Sequence, residues 1–175
     1  MKSLRYLALL PLAAAAAQAY TIEFELGKNN PSGRDNSNVV GIDVATTIGN
    51  SDFEIGANLT SFDIANSTLG ATGTAYNASL DLTYNLVGTK GGIRPFVGAG
   101  LGYAWLTNDG TNNAASYKGS CMSLAAYAGV RFVLSDTLDL AFQFRNVQLL
   151  DAQVVSGTRS TLNNWQSLAS LRLKF

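Results

Sequence analysis

The chain has 175 residues, 12 basic and 12 acidic, and so no formal net charge; 14% of it is charged and 47% hydrophobic. A neutral chain this poor in Lys and Arg does not bind nucleic acid by neutralising phosphates, and its apolar fraction is too high for disorder. One cysteine and no histidine leave neither a disulfide framework nor a Cys/His metal site, and they remove every mechanism that needs an imidazole, so no cofactor is expected.

The first element is a leader. Lys2 and Arg5 open it, Tyr6 to Leu12 and Ala13 to Ala17 form a short apolar stretch, and Ala17-Gln18-Ala19 supplies a small-x-small cleavage pattern. The stretch is shorter than the roughly 20 residues of a membrane helix, so residues 1–19 read as a cleaved signal peptide and 20–175 as one exported domain. No later segment approaches the roughly 18 consecutive apolar residues of a spanning helix.

From Tyr20 on, apolar residues recur at every second position in eight runs. They are Tyr20 to Leu26, Val40 to Ile48, Phe53 to Leu59, Thr74 to Leu86, Pro95 to Trp105, Met122 to Leu134, Leu138 to Phe144 and Trp165 to Phe175. Period two over such lengths is the strand signal. Phe62 and Leu168 fall on the opposite parity, and bulges or register errors are expected there.

Alternation alone does not say whether the apolar face meets a core or lipid. The eight apolar rows carry no charge at all, as lipid demands, since Lys or Arg at a bilayer midplane costs about 2–4 kcal/mol. The connections alternate. Gly49–Asp52, Val87–Gly92 and Ser135–Thr137 are short, whereas Lys28–Asn38, Asp63–Gly73, Thr107–Gly119 and Leu149–Ser160 are long and polar. Short turns at one end and long loops at the other put both termini on the short-turn, periplasmic side. Aromatic residues fall in two sets, Tyr20, Phe53, Tyr84, Phe132 and Phe175 toward that end, and Tyr76, Tyr103, Trp105, Phe144 and Trp165 toward the other, as interfacial girdles do. The expected fold is all-β, an eight-stranded antiparallel up-and-down transmembrane β-barrel behind a signal peptide.

The segment Arg94-Pro95-Phe96-Val97-Gly98-Ala99-Gly100-Leu101-Gly102-Tyr103 resembles the fifth strand of small outer-membrane barrels of the OmpA-transmembrane-domain, OmpX and opacity type. Gly129-Val130-Arg131-Phe132, a short turn and Leu138-Asp139-Leu140 are similar to their next hairpin. Leu171-Arg172-Leu173-Lys174-Phe175 matches the ending whose last aromatic residue, here Phe175, is read by the outer-membrane assembly machinery. The resemblance implies a Gram-negative outer membrane, with lipid and lipopolysaccharide as surroundings. The barrel enzymes it brings to mind use a histidine, which this chain lacks, so no enzyme is expected. With Phe175 as the last residue, a peptidoglycan-anchoring role is not expected either.

By parity the interior receives Glu23, Glu25, Asp43, Glu54, Asp81 and Asp139 against Arg94, Arg131, Arg145, Arg172 and Lys174, with Asn58, Asn77, Tyr127 and Gln143 beside them. A lumen just wide enough for side chains to fill makes unpaired charge costly, so a paired plug is expected, and a narrow water path between the charges is the alternative. Cys121 has inward parity and reads as a partly buried thiol. In the loops, Asn108–Asn113 has too few carboxylates for a strong Ca²⁺ site. Lys28, Arg34, Lys118 and Arg159 suit either lipopolysaccharide phosphates or plain solvation. The apolar stretch Val147, Leu149, Leu150, Val154 and Val155 is expected to prolong strands seven and eight and to leave edges for a host or surface ligand. A monomer is expected, because a closed barrel leaves no edge within the membrane.

Overall fold

The structure is a computed structural model that describes residues 20–66, 71–86, 92–107, 119–154 and 158–175; the leader, residues 1–19, lies outside them. Eight strands follow one another: β1 (Tyr20–Pro31), β2 (Ser37–Thr47), β3 (Phe53–Asn66), β4 (Ala71–Asn85), β5 (Ile93–Thr107), β6 (Gly119–Val133), β7 (Leu138–Val154) and β8 (Thr158–Lys174). Each pairs antiparallel with the next, and β8 returns to β1, so the sheet is a closed barrel with no edge strand over its common height. At the seam, the Phe175 amide donates to the Tyr20 carbonyl at 2.9 Å and the two rings stack with centroids 5.0 Å apart.

The register keeps the apolar rows on one surface, with Phe24 beside Ile42, Leu59 beside Ala78 and Leu101 beside Leu124. These rows face outward: Leu26, Leu80 and Phe144 are 63%, 62% and 71% exposed. A protein does not leave such a belt to water. The ten residues of the two aromatic sets also lie on this outer surface, with Phe53 packed on Tyr84 (4.8 Å) at one end and Tyr103 on Trp105 (5.2 Å) toward the other.

The β2–β3 and β6–β7 turns are tight. The Ile48 amide donates to the Phe53 carbonyl at 2.9 Å, and the Leu134 amide donates to that of Leu138 at 3.0 Å. At the opposite end the strands run further than the sequence spacing implies. Of the link from Lys28 to Asn38, only 32–36 lies outside β1 and β2.

The expected bulges at Phe62 and Leu168 are absent. Phe62 pairs with Val39 and Ala75, and Leu168 with Gly27 and Gln143, in unbroken ladders. Both side chains point inward and are buried. The physical reason is a change of face. In β3 the outward residues pass from Ile55, Ala57 and Leu59 to Ser61 and Asp63, while the inward ones pass from Glu54, Asn58 and Thr60 to Phe62 and Ile64. The apolar set crosses the sheet without any slip in pairing. The irregularity lies instead in β7, between Leu149 and Ala152, where Asp151 takes a φ of 56°. That left-handed backbone is one an Asp tolerates better than most residues.

The inversion yields a test. Phe62→Ala is expected to cost about 3–5 kcal/mol as a core deletion, and Leu80→Arg about 2–4 kcal/mol as a charge in lipid. Urea unfolding of the refolded protein in lipid vesicles measures both, and a negligible loss for Phe62→Ala would mean the residue faces outward.

Candidate functional site in the lumen

Inward residues near the short-turn end come from seven strands and meet in two groups. In the first, Arg145 on β7 crosses to β4 and β3: Nη2 donates to Asp81 Oδ2 at 2.8 Å and Nη1 to Asn58 Oδ1 at 2.9 Å. Glu25 on β1 lies 3.7 Å from the same Nη1 and accepts hydrogen bonds from Asn58 Nδ2 (3.0 Å) and Gln143 Nε2 (2.8 Å). The Asp81 carboxylate also accepts from the Ser79 hydroxyl at 2.7 Å. The guanidinium rests 4.9 Å from the centre of the Tyr127 ring, and the Tyr127 hydroxyl is bonded to that of Thr83 at 2.8 Å.

In the second group Glu54 on β3 is shared by Arg131 (3.2 Å) and Arg172 (2.9 Å). Asn85 bridges the pair, donating to Glu54 at 3.3 Å and accepting from Arg131 at 2.8 Å. Arg131 lies 4.4 Å from the centre of the Phe96 ring. Closer to the rim, Lys174 donates to Asp139 at 2.8 Å and to the Ser135 carbonyl at 3.2 Å. Charge-assisted bonds of these lengths are the strong kind, and buried carboxylates with two or three donors keep their charge compensated.

The other acids and bases stand differently. Glu23 accepts from the Ser170 hydroxyl. Among the described residues neither Glu23 nor Asp43 has an ion-pair partner. Both line a cavity of about 20 Å³, together with Glu54, Asp81, Arg131 and Arg145. That is room for one water, with polar atoms to hold it. Arg94 is partly buried across the ladder from Arg131, away from this cavity. Among the described residues no group of three or more acids and thiols is placed to hold a metal ion.

Glycine makes the geometry of this half feasible. The Tyr127 ring lies against Gly98, so a Cβ there would come within 2.3 Å of two ring carbons. A larger residue at 98 would push Tyr127 off Arg145 and into the lumen.

The outer half of the lumen is of another kind, which the alternation did not reveal. Val39, Phe62, Ile64, Leu106, Val147, Leu149, Leu162 and Leu168 form one buried apolar cluster with Cys121, Ala75, Ala104, Ala125 and Ala152. Val147 and Leu149, expected to prolong a strand at the surface, belong to this core. The β7–β8 ladder does extend outward, since Ala152, Gln153 and Val154 pair with Ser160, Arg159 and Thr158, and among the described residues none of these six pairs with β6 or β1. Between charge network and apolar core lie the buried amides of Asn29, Asn164 and Gln166. Phe62 and Leu168, off the parity of the outward apolar rows, were the available sign of this layering.

Of the loop cations, Lys28 donates to Asn38 Oδ1 (2.7 Å), Arg34 to the Asn163 carbonyl (2.9 Å), and Arg159 to exposed Asp151 (2.5 Å). Lys118, Asn108–Asn113 and Val155 lie outside the described residues.

The family model for the outer membrane protein beta-barrel domain matches residues 4–175. Among solved structures the chain is similar to outer membrane protein OprG from Pseudomonas aeruginosa, at 12% identity and a TM-score of 0.69 over 91% of this chain and 96% of that one. Neisserial surface protein A gives 17% and 0.67 over 90% and 96%. Outer membrane protein W of E. coli gives 13% and 0.56 over 91% and 98%. At such identities the likeness is one of fold. No curated protein matches the chain.

Two substitutions probe the site. Arg145→Met strands Glu25 and Asp81 and is expected to cost about 3–5 kcal/mol, whereas adding Glu25→Gln and Asp81→Asn recovers most of the loss. Gly98→Ala is expected to cost about 1–3 kcal/mol by overpacking against Tyr127. Denaturant midpoints of the refolded barrels measure both, and a triple variant no more stable than Arg145→Met would show that pairing is not what the arginine supplies.

Proposed function

The chain belongs to the outer membrane protein beta-barrel domain family, and from that premise we propose that it is a non-enzymatic outer-membrane barrel with a charge-plugged lumen. It serves envelope integrity or surface contact, including adhesion, through the loops at its long-loop end. One observation carries this reading: Arg145 ties β7 to β1, β3 and β4 across the interior through Glu25, Asn58 and Asp81. A cross-brace of that kind fills the section that a solute would need, and it stiffens a platform from which loops project.

On this reading both termini lie in the periplasm, residues 1–19 are removed on export, and Phe175 is the residue read by the assembly machinery. The belt of Leu26, Leu80 and Phe144 contacts lipid, and Lys28 with Arg34 and Arg159 stands at the level of lipopolysaccharide phosphates. The closed sheet favours a monomer. Loop chemistry names no ligand, and nucleic acid is disfavoured by the zero net charge.

A second reading, a narrow channel for ions or small solutes, is favoured by the water-sized cavity that Glu23 and Asp43 face. Single-channel recording of the refolded protein in planar bilayers separates the two. The closed-lumen reading expects silence from a demonstrably folded barrel. Discrete steps that change when Glu54 or Arg131 is neutralised would make it a pore. Surface binding, assayed on cells, is expected to vanish when residues 108–118 and 155–157 are replaced by short turns, with the barrel still folded.

A further inference from the structure

The lumen holds two layers of unlike chemistry stacked along the axis, and the water-sized cavity belongs to the charged one. At the charged layer a cavity remains, lined by carboxylates and guanidinium groups. Any gap opened there is lined by polar atoms and fills with water. At the outer layer Phe62, Ile64, Val147 and Leu149 converge from β3 and β7 with Leu106 and Leu162 from β5 and β8, all buried. A gap between apolar side chains of this size stays dry, as the apolar constrictions that gate channels do.

The boundary between the layers is marked by buried amides. Gln166 on β8 is 1% exposed, and neither its amide nitrogen nor its amide oxygen has a hydrogen-bond partner; the side-chain oxygens of Asn29 and Asn164 are likewise buried and unpartnered. Asn29 and Arg145 are the ladder neighbours of Gln166, and Asn164 is the next inward residue on its own strand. These are the first polar atoms that a water column rising from the charged layer would reach.

We propose that the lumen is closed twice in series: the charge network fills the inner section against solutes, and the outer apolar layer is the seal that still holds back water and ions when that network is loosened. This rests on the closed-lumen reading and assigns its cause. The network braces the barrel and fixes the strands. The apolar layer makes the seal, so that loosening the network hydrates the inner half without opening a path.

The chain carries its own probe, because its single cysteine, Cys121, lies buried within the apolar layer. The experiment follows its reaction with a small charged thiol reagent in the full chain refolded into lipid vesicles, alongside planar-bilayer recording. The wild-type barrel is expected to be silent and to react at least about tenfold more slowly than the unfolded chain, as a site does that reacts only on local opening. The network-neutral variant Arg145→Met/Glu25→Gln/Asp81→Asn is expected to behave the same way, as is Glu54→Gln/Arg131→Met should the first not fold. Ile64→Ser/Leu149→Ser, or Leu149→Ser alone, is expected to bring Cys121 close to the unfolded rate. Conductance or fast labelling in a network variant with the apolar layer intact overturns the proposal while leaving the wild-type barrel closed. Continued protection of Cys121 in a folded serine variant also overturns it. Steps from the wild-type barrel remove the closed-lumen reading itself.

Discussion

An eight-stranded barrel has no space for bulk water, so each inward side chain must find its partner inside the lumen. That constraint organises the rest of the molecule. Toward the short-turn end it is met by hydrogen-bonded charge, with Arg145 shared by Asp81, Asn58 and Glu25, and Glu54 shared by Arg131 and Arg172. Toward the long-loop end it is met by apolar packing around Phe62, Ile64 and Leu149. The choice between the two follows what lies outside the sheet. Where lipid occupies the outer surface, the polar half of each alternating strand has only the lumen to go to. Where the strands rise clear of the apolar belt, their polar half turns outward and the interior becomes an ordinary dry core.

The two solutions differ in kind. Charge pairs in a narrow interior are directional, and removing one member leaves its partner stranded, so the network specifies which residues face each other across the axis. Apolar packing is non-directional and excludes water by volume alone. Glycine mediates between these demands on β5, where Gly98 lets the Tyr127 ring lie against the strand and so leaves Arg145 a flat surface on which to rest.

Most of the fold was legible in the sequence, because period-two alternation over long runs, with no charge in the eight apolar rows, has few other physical causes. The inward charges were legible for the same reason, since parity alone places Glu25, Asp81 and Arg145 on one side of the sheet. Which acid meets which base was not, because that depends on shear and strand tilt, neither of which is written in local spacing. The apolar outer core is hidden from alternation taken as a single pattern down each strand. Phe62 and Leu168 broke it, and a bulge was the simpler account of one residue out of phase. The decisive sign was the company they keep: Ser61 and Asp63 turn polar on the outward row at the point where Phe62 and Ile64 turn apolar on the inward one.

The irregularity in β7 has a consequence for how this surface can change. Below Leu149 the parity of β7 is locked, since a one-residue slip would send Phe142 and Phe144 into the lumen and Arg145 into lipid. The extra residue between Leu149 and Ala152, with Asp151 in the left-handed region, absorbs that phase. Beyond it the ladder resumes, with Ala152 paired to Ser160 and buried in the outer core. Insertions or deletions of odd or even length in the β7–β8 tip can be taken up there without rotating a single side chain in the membrane. The exposed end of this hairpin is thus free to vary in length as well as in composition, while the barrel beneath it stays the same.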